Sequence, residues 1–164
     1  GLRPPPCIGH PPPPSPPYPL RPPGRRPRTP YVALEAVNLA LAAYMAGVIW
    51  VVQVVHYPLL ERVGAAEFAA YHAEHSRRIT PVVAPAMLAH VAVAAVLVAQ
   101  RPGALAAVNL ALAAGLLAVT GAVFARLHAR LRQATVGRLV RLNVLRAVGW
   151  SASTGVALAL LLSA

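Results

Sequence analysis

Polar side chains suited to chemistry lie near the ends of long apolar runs. Gln53 and His56 are three residues apart, and Asn143, Arg146 and Trp150 follow one another at spacings of three and four. These spacings place each group on one face of a helix. Arg146 is the most informative of them, because it lies inside an apolar run and needs a polar partner or a water-filled pocket at that depth.

Three histidines extend this pattern, because His56, His75 and His128 all lie at the ends of runs that alternate in direction. A cluster of imidazoles is able to bind a metal or ligate haem, and a single imidazole can move a proton while an arginine holds an anionic group. The alternative is that each histidine rests separately in the lipid headgroup region. The predicted catalytic residues are His56, His75, His128 and Arg146, and the predicted substrate-binding residues are Gln53, Tyr57, Asn143 and Trp150.

No cofactor is assigned by these residues, although haem and a metal ion are both compatible with them. The His-Glu-x-x-His spacing of zinc hydrolases is absent from the sequence, so we predict no metal site. If a metal were bound, His56, His75 and His128 would be its ligands. His90 lies apart from this group, in the middle of an apolar run, where we expect it to form a hydrogen bond within or between helices.

The elements that position these residues are four long apolar segments, which predict an all-α bundle of four transmembrane helices. Twenty residues of helix span roughly 30 Å, the thickness of the hydrocarbon core. A tight Arg101-Pro102-Gly103 connection predicts that the second and third helices form an antiparallel hairpin. The predicted helices cover approximately residues 31–57, 79–100, 104–127 and 139–163.

Two further features concern the packing of this bundle. The loop from Leu60 to Arg78 mixes apolar and charged residues and predicts a short amphipathic helix at the interface. Small residues at helical spacing, such as Ala43 with Gly47 and Ala111 with Gly115, predict close approach between helices.

An internal repeat suggests how the bundle is built. The eight residues Ala36 to Ala43 recur unchanged as Ala107 to Ala114, 71 residues later. Alanine and leucine are common in such segments, so the match is compatible either with chance or with duplication of a helix hairpin. Duplication would relate the two hairpins by an axis along the membrane normal and make the first and third helices equivalent.

The charge distribution indicates a lipid partner rather than a nucleic acid. The formal net charge is +11, but five arginines lie in residues 1–30, a proline-rich segment that we predict to be a disordered tail. Most of the others flank apolar runs, where basic side chains meet lipid headgroups. One cysteine, Cys7, excludes a disulfide within the chain. We expect a bilayer partner, a lipophilic small molecule, no nucleic acid, and either a homo-oligomer or a larger membrane complex.

The arginines also predict the orientation of the chain. If the tail is set aside, the face that carries loops 58–78 and 128–138 is the positive one and is expected to be cytoplasmic. We therefore expect a multi-pass protein of the bacterial inner membrane. Nine arginines belong to that face: Arg62, Arg77, Arg78, Arg126, Arg130, Arg132, Arg138, Arg141 and Arg146.

Four short motifs are spread along the helical part of the chain: Gln53-x-x-His56-Tyr57-Pro58, Phe68-x-x-Tyr71-x-x-x-His75, Pro85-x-Met87-Leu88 and Asn143-x-x-Arg146. In these motifs the sequence resembles an uncharacterised bacterial family of small four-helix integral membrane proteins, and more distantly the anthrone-oxygenase-like membrane proteins and the haem-binding membrane protoporphyrinogen oxidases. The resemblance covers residues 34–164. The family usually has a glutamate at the position of His90 and a tryptophan at that of Val144, so a carboxylate role in the second helix does not carry over.

Two functions follow as hypotheses. The first is a small membrane oxidoreductase or oxygenase that acts on a lipophilic substrate, quinone-like or aromatic, at the arginine-rich face. The second is a non-enzymatic accessory subunit or lipid-binding scaffold that docks on a larger complex through its small-residue helix faces. A transporter or channel is disfavoured, because four short helices with one buried arginine offer little pathway.

Overall fold

Four antiparallel helices make up the structure, a computed structural model that describes Gly1, residues 31–124, Arg126 and residues 132–163. The helices are α1 (Val32–Leu60), α2 (Phe68–Gln100), α3 (Ala104–Phe124) and α4 (Val136–Leu162). Each is long and apolar enough to cross a membrane, as an all-α bundle of a multi-pass membrane protein requires. The predicted tail, apart from Gly1, and His128 lie outside the described residues.

The four helices form a square in chain order. α1 packs against α2 and α4, and α3 packs against the same two helices, so that α1 and α3 face each other across the diagonal. Buried residues recur at alternating spacings of three and four, as in Ala42, Met45 and Ile49 of α1. This spacing is the seam of a left-handed coiled coil. Large aliphatic side chains such as Val51 and Leu145 point outward, where the hydrocarbon of a bilayer would cover them.

The repeated segments meet at the centre of the square. The side-chain amides of Asn38 and Asn109, which are 71 residues apart, donate to each other at 3.3 and 3.2 Å, and both residues are fully buried. The two flanking valines, Val37 and Val108, are likewise each 48% exposed on the outside of the bundle. Equivalent residues of the repeat therefore occupy equivalent positions around an axis that runs between α1 and α3.

One end of the bundle is closed by a partly buried ion pair that the sequence did not suggest. Glu35 is fully buried and pairs with Arg101 from the α2–α3 turn. The guanidinium of Arg101 also donates to the backbone oxygen of Ser163, at 3.1 Å, and so joins the end of α4. These contacts place Glu35, Arg101 and Ser163 at one depth in the membrane.

The predicted interfacial helix between α1 and α2 is not a separate element. Its residues are helical from Phe68 onward, but they form the first turns of α2, which continues without a break to Gln100. The second helix was predicted to begin at Ile79, but α2 is continuous through Arg78 and Ile79. Both Pro81 and Pro85 lie inside it. The 33 residues of α2 measure roughly 50 Å, so its N-terminal turns extend about 20 Å beyond a hydrocarbon core of roughly 30 Å.

The predicted close packing at Gly47 and Gly115 is also absent. A Cβ atom added at either glycine would meet no other group within 4 Å, because both residues line open grooves on the sides of the bundle. The close approach occurs instead at Gly149 of α4, where an added Cβ would lie 2.8 Å from a methyl carbon of Leu116 in α3.

Candidate functional site

Two π-helical turns shape the end of the bundle opposite Glu35. The turn in α1 covers Val52–His56 and the turn in α3 covers Thr120–Phe124, at the same end of the two equivalent helices. Each wide turn contains one residue more than an α-helical turn, so the row of buried residues that follows it is displaced by one position along the chain. An uninterrupted seam would bury His56 in α1 and Val123 in α3, but the buried residues are Tyr57 and Phe124. Isolated π-helical turns of this kind are frequent at functional sites.

A chain of hydrogen bonds holds Arg146 at this end. The Asn143 amide donates to the side-chain oxygen of Gln53 at 2.9 Å, and one terminal nitrogen of Arg146 donates to the Asn143 side-chain oxygen at 3.1 Å. All three residues are buried, with Arg146 6% exposed. Asn143 therefore uses both ends of its amide to link α1 to the arginine and fixes the direction of the guanidinium.

The other contacts of Arg146 are uncharged. Its guanidinium carbon lies 4.4 Å from the centre of the Phe124 ring, and the group also interacts with the Tyr57 hydroxyl. The Nε atom of Arg146 is buried without a hydrogen-bond partner among the described residues. The chain has only four acidic side chains, all glutamates within the described residues, and none of them forms an ion pair with Arg146. Arg146 is thus a buried cation without a counter-charge from this chain.

Arg146 lines a cavity of about 560 Å³ to which all four helices contribute, mainly α1 and α2, and which we call the Arg146 pocket. The aliphatic and aromatic residues of its wall are Val48, Ile49, Val52, Ile79, Val83 and Phe124. Its polar residues are Tyr57, His72, His75, Ser76, Thr80, Thr120 and Arg146. A cavity of this size that combines an apolar wall with polar groups is typical of a site for a small organic molecule.

His75 separates this pocket from a second cavity on the outer side of α1. That α1 groove has a volume of about 560 Å³ and is lined by both His56 and His75, together with Gly47. The rings of His56 and His75 are stacked, with centres 4.0 Å apart and planes inclined by 21°. The Nε2 atom of His56 is buried without a partner among the described residues. The histidine pair therefore forms part of the wall between the pocket and the groove.

The stacked geometry bears on metal binding. Imidazole nitrogens bind a metal in the plane of the ring, so two rings stacked face to face do not direct their nitrogens at one ion. Over residues 31–124 and 132–163, no group of three or more His, Cys, Asp or Glu side chains is placed to hold a metal. His128, the third predicted ligand, lies outside the described residues.

The structure brings together some of the predicted site residues and separates others. Tyr57, His75 and Arg146 line the pocket, whereas Gln53 and Asn143 stand behind Arg146 and orient it. His56 lines the neighbouring groove. Trp150 is fully buried deeper in the bundle, does not line the pocket, and packs with its ring centre 5.6 Å from that of His90.

The prediction from sequence missed Phe124 and the hydroxyl groups of the pocket, Ser76, Thr80 and Thr120. A signal for Phe124 was present, because the 71-residue repeat maps Gln53 onto it. The hydroxyls carried no such signal, since serine and threonine are common in transmembrane helices, where they bond to the preceding turn. Thr80 and Thr120 both donate to the backbone oxygen four residues earlier, each at 2.7 Å.

Comparison with known proteins adds no relative to this description. No family model matches the sequence, no curated protein matches it, and no solved structure matches the fold with significance.

Proposed function

We propose that the protein binds a lipophilic molecule with an anionic oxygen in the Arg146 pocket and acts on it as a small membrane oxidoreductase or oxygenase. The observation that carries this proposal is the state of Arg146, which is buried, held in place by Asn143 and without an acidic partner. Burying a charged group is costly unless it is paired. An anionic substrate group would supply the missing counter-charge.

The shape of the pocket supports a lipophilic substrate. Its apolar wall is built from Val48, Ile49, Val83 and other residues at the level of the bilayer, while the polar groups lie toward the end that carries Arg146. A planar aromatic or quinone-like molecule would place its oxygen at the guanidinium and its rings against the aliphatic wall. Phe124, already packed against Arg146, would add an aromatic surface beside the bound head group.

The first chemical step that these residues support is the transfer of a proton from the substrate. His75 lines the pocket, and an imidazole is able to accept a proton from a weakly acidic hydroxyl of the substrate. Arg146 would stabilise the resulting oxyanion, because it is already oriented and no carboxylate competes for it. A phenolate or enolate is more easily oxidised than the neutral form, so this step prepares the substrate for loss of electrons to dioxygen or to a bound cofactor.

The first experiment measures whether Arg146 selects an anion. The purified protein in nanodiscs is titrated with 1-naphthoate and with the uncharged 1-naphthalenemethanol, and both affinities are determined by calorimetry. We expect naphthoate to bind at least tenfold more tightly, and R146Q to remove this preference while R77Q, at an exposed arginine, leaves it unchanged. Equal affinity of the two ligands for the wild-type protein would refute the proposed role of Arg146.

A second variant guards against loss of fold in R146Q. S76F fills the pocket from α2 and leaves Arg146 and its partners in place. It should lower the affinity for both ligands, and unchanged binding would show that the ligand lies elsewhere.

Oxidation of a naphthohydroquinone is followed as oxygen uptake and by the optical spectrum of the protein. The rate should fall in H75A and not in R77Q, at an exposed residue outside the pocket, if His75 accepts the proton.

A second candidate function is a non-enzymatic accessory subunit or lipid-binding scaffold. The observation in its favour is a pair of open grooves at equivalent faces of α1 and α3, one beside Gly47 and one of about 360 Å³ beside Gly115. An acyl chain or a partner helix would fit such grooves. This function predicts that G47L or G115L abolishes co-purification of the partner while H75A does not. The enzymatic proposal predicts instead that H75A lowers the activity while G47L and G115L leave it unchanged.

A further inference from the structure

The centre of the bundle holds polar atoms that the pocket does not use. His90 is fully buried, and neither of its ring nitrogens has a hydrogen-bond partner among the described residues. The Nε1 atom of Trp150 and the hydroxyl of Ser153 are buried and unpartnered in the same way. The expected hydrogen bond of His90 is therefore absent. A polar group buried in a low-dielectric interior without a partner is destabilising, so a ligand that satisfies the imidazole would be favoured.

The same depth of the bundle contains the only two methionines of the chain, Met45 and Met87. Glu35, Arg101 and Ser163 are joined at one end. Met45 and Ser153 lie ten residues from that end and His90 lies eleven, which is about 15–17 Å at 1.5 Å per residue. Met87 precedes His90 by three residues and shares its helix face.

Contacts support this placement. Met45, Met87 and Trp150 belong to one buried cluster, in which Met45 and Trp150 are fully buried and Met87 is 2% exposed. The His90 ring packs against Trp150 at 5.6 Å between centres. The buried residue of α3 nearest this depth, Ala113, has a small side chain, so His90, the two methionines and Trp150 supply the large fully or almost fully buried groups here.

We propose that His90, Met45 and Met87 form a binding site for Cu(I), with the Trp150 ring packed beside it. Thioether sulfur and neutral imidazole are soft ligands that favour Cu(I) over harder divalent ions. A monovalent ion is also the cation least costly to bury without a carboxylate, and an adjacent tryptophan face attracts positive charge. The site is independent of the Arg146 pocket and shares none of its residues.

Trp150 makes the site measurable. The chain has two tryptophans, Trp50 and Trp150, so W50F leaves one fluorophore next to the proposed ion. Cys7 is replaced by serine, because a thiolate also binds Cu(I). The full chain carrying C7S and W50F is then titrated in detergent with Ag(I), a closed-shell substitute for Cu(I), and with Cu(I) against the chelator bicinchoninate. We expect quenching of Trp150 to saturate at one ion per chain.

The methionine variants decide whether the proposed ligands hold the ion. Leucine nearly conserves the volume of methionine, and such exchanges are well tolerated in protein cores, so M45L and M87L should fold. Each should weaken Ag(I) and Cu(I) binding at least tenfold, and H90L should abolish it. The matched control is the double variant H56A/H75A, which removes the other histidine pair and should leave the stoichiometry and the affinity unchanged.

The outcomes separate a copper site from its alternatives. Absence of quenching, or quenching that is unaffected by M45L and M87L, would overturn the proposal and leave a water molecule between His90 and Ser153 as the explanation of the unpartnered atoms. Loss of binding in H56A/H75A would also overturn it and would place the ion at the stacked histidines. H90L removes a buried ring and can disturb the fold on its own, so the conclusion rests on the two methionine variants.

Discussion

The reciprocal amide pair between Asn38 and Asn109 offers a quantitative test of the two-fold arrangement. Replacing either residue with alanine removes two hydrogen bonds of 3.2 and 3.3 Å and leaves the remaining amide buried without a partner. Interhelical hydrogen bonds in membranes contribute about 0.6 kcal/mol on average and up to about 1.7 kcal/mol. Two bonds together with one orphaned amide correspond to about 2–4 kcal/mol of lost stability for each single variant.

The double variant separates the bonds from the orphaned group. N38A/N109A loses the same two bonds but leaves no unpaired amide, so it should cost no more than either single variant. The coupling free energy is then at least the cost of one single variant, about 2–4 kcal/mol. If α1 and α3 are equivalent, the two single variants should agree with each other within about 0.5 kcal/mol, which is the usual error of additivity.

The assay is the free energy of unfolding, measured by steric trapping or by titration with a denaturing detergent. The control cycle uses V37A and V108A, which are the neighbouring positions of the repeat and lie equally exposed on the outside of the bundle. It should show no coupling. Strict additivity of N38A and N109A would refute the paired geometry, and two unequal single variants would refute the equivalence of the two helices.

Two further predictions concern other parts of the bundle. E35Q should lower the free energy of unfolding by about 2–3 kcal/mol, somewhat below the usual cost of breaking a buried pair because Arg101 can reach solvent. E67Q, at an exposed glutamate, should leave the free energy of unfolding unchanged. Equal stability of the two variants would contradict the role of the pair. G149A should lower the free energy of unfolding by about 1 kcal/mol, because the added methyl group would clash with Leu116. G155A has no other group within 4 Å of the added Cβ and should be neutral or stabilise α4 by about 0.5 kcal/mol. The reverse order of stability in a thermal unfolding experiment would place the α3–α4 contact elsewhere.

The number and class of the helices followed from the sequence because hydrophobic length is a direct physical requirement of a bilayer. The start of α2 could not be predicted in the same way. The charged residues before Ile79 indicated a separate interfacial segment, although no residue there ends a helix. Glu35 was overlooked for a related reason. A lone carboxylate near the start of an apolar run gives no sign of its partner when that partner, Arg101, lies 66 residues away.

The site was predicted in part. Arg146 and Asn143 were recognisable because polar residues deep in an apolar helix must be paired or face a cavity, and the structure pairs them. The separation of His56 from the pocket was not predictable, because it depends on the π-helical turn at Val52–His56. A helical projection assumes a constant 3.6 residues per turn, and a single wide turn invalidates it for every residue that follows.

The wide turns also mean that residue count and helix geometry together decide which side chain faces the interior. Deleting one residue within the turn, such as Val54, would remove the residue that the wide turn adds, and Tyr57 would then occupy the buried position that a regular seam gives to His56. The same number of residues wound as a regular α-helix would bury His56 in place of Tyr57. When related sequences are aligned, a one-residue gap across Val52–His56 is therefore expected to mark the loss of the wide turn and not a change in the side chain that faces Arg146.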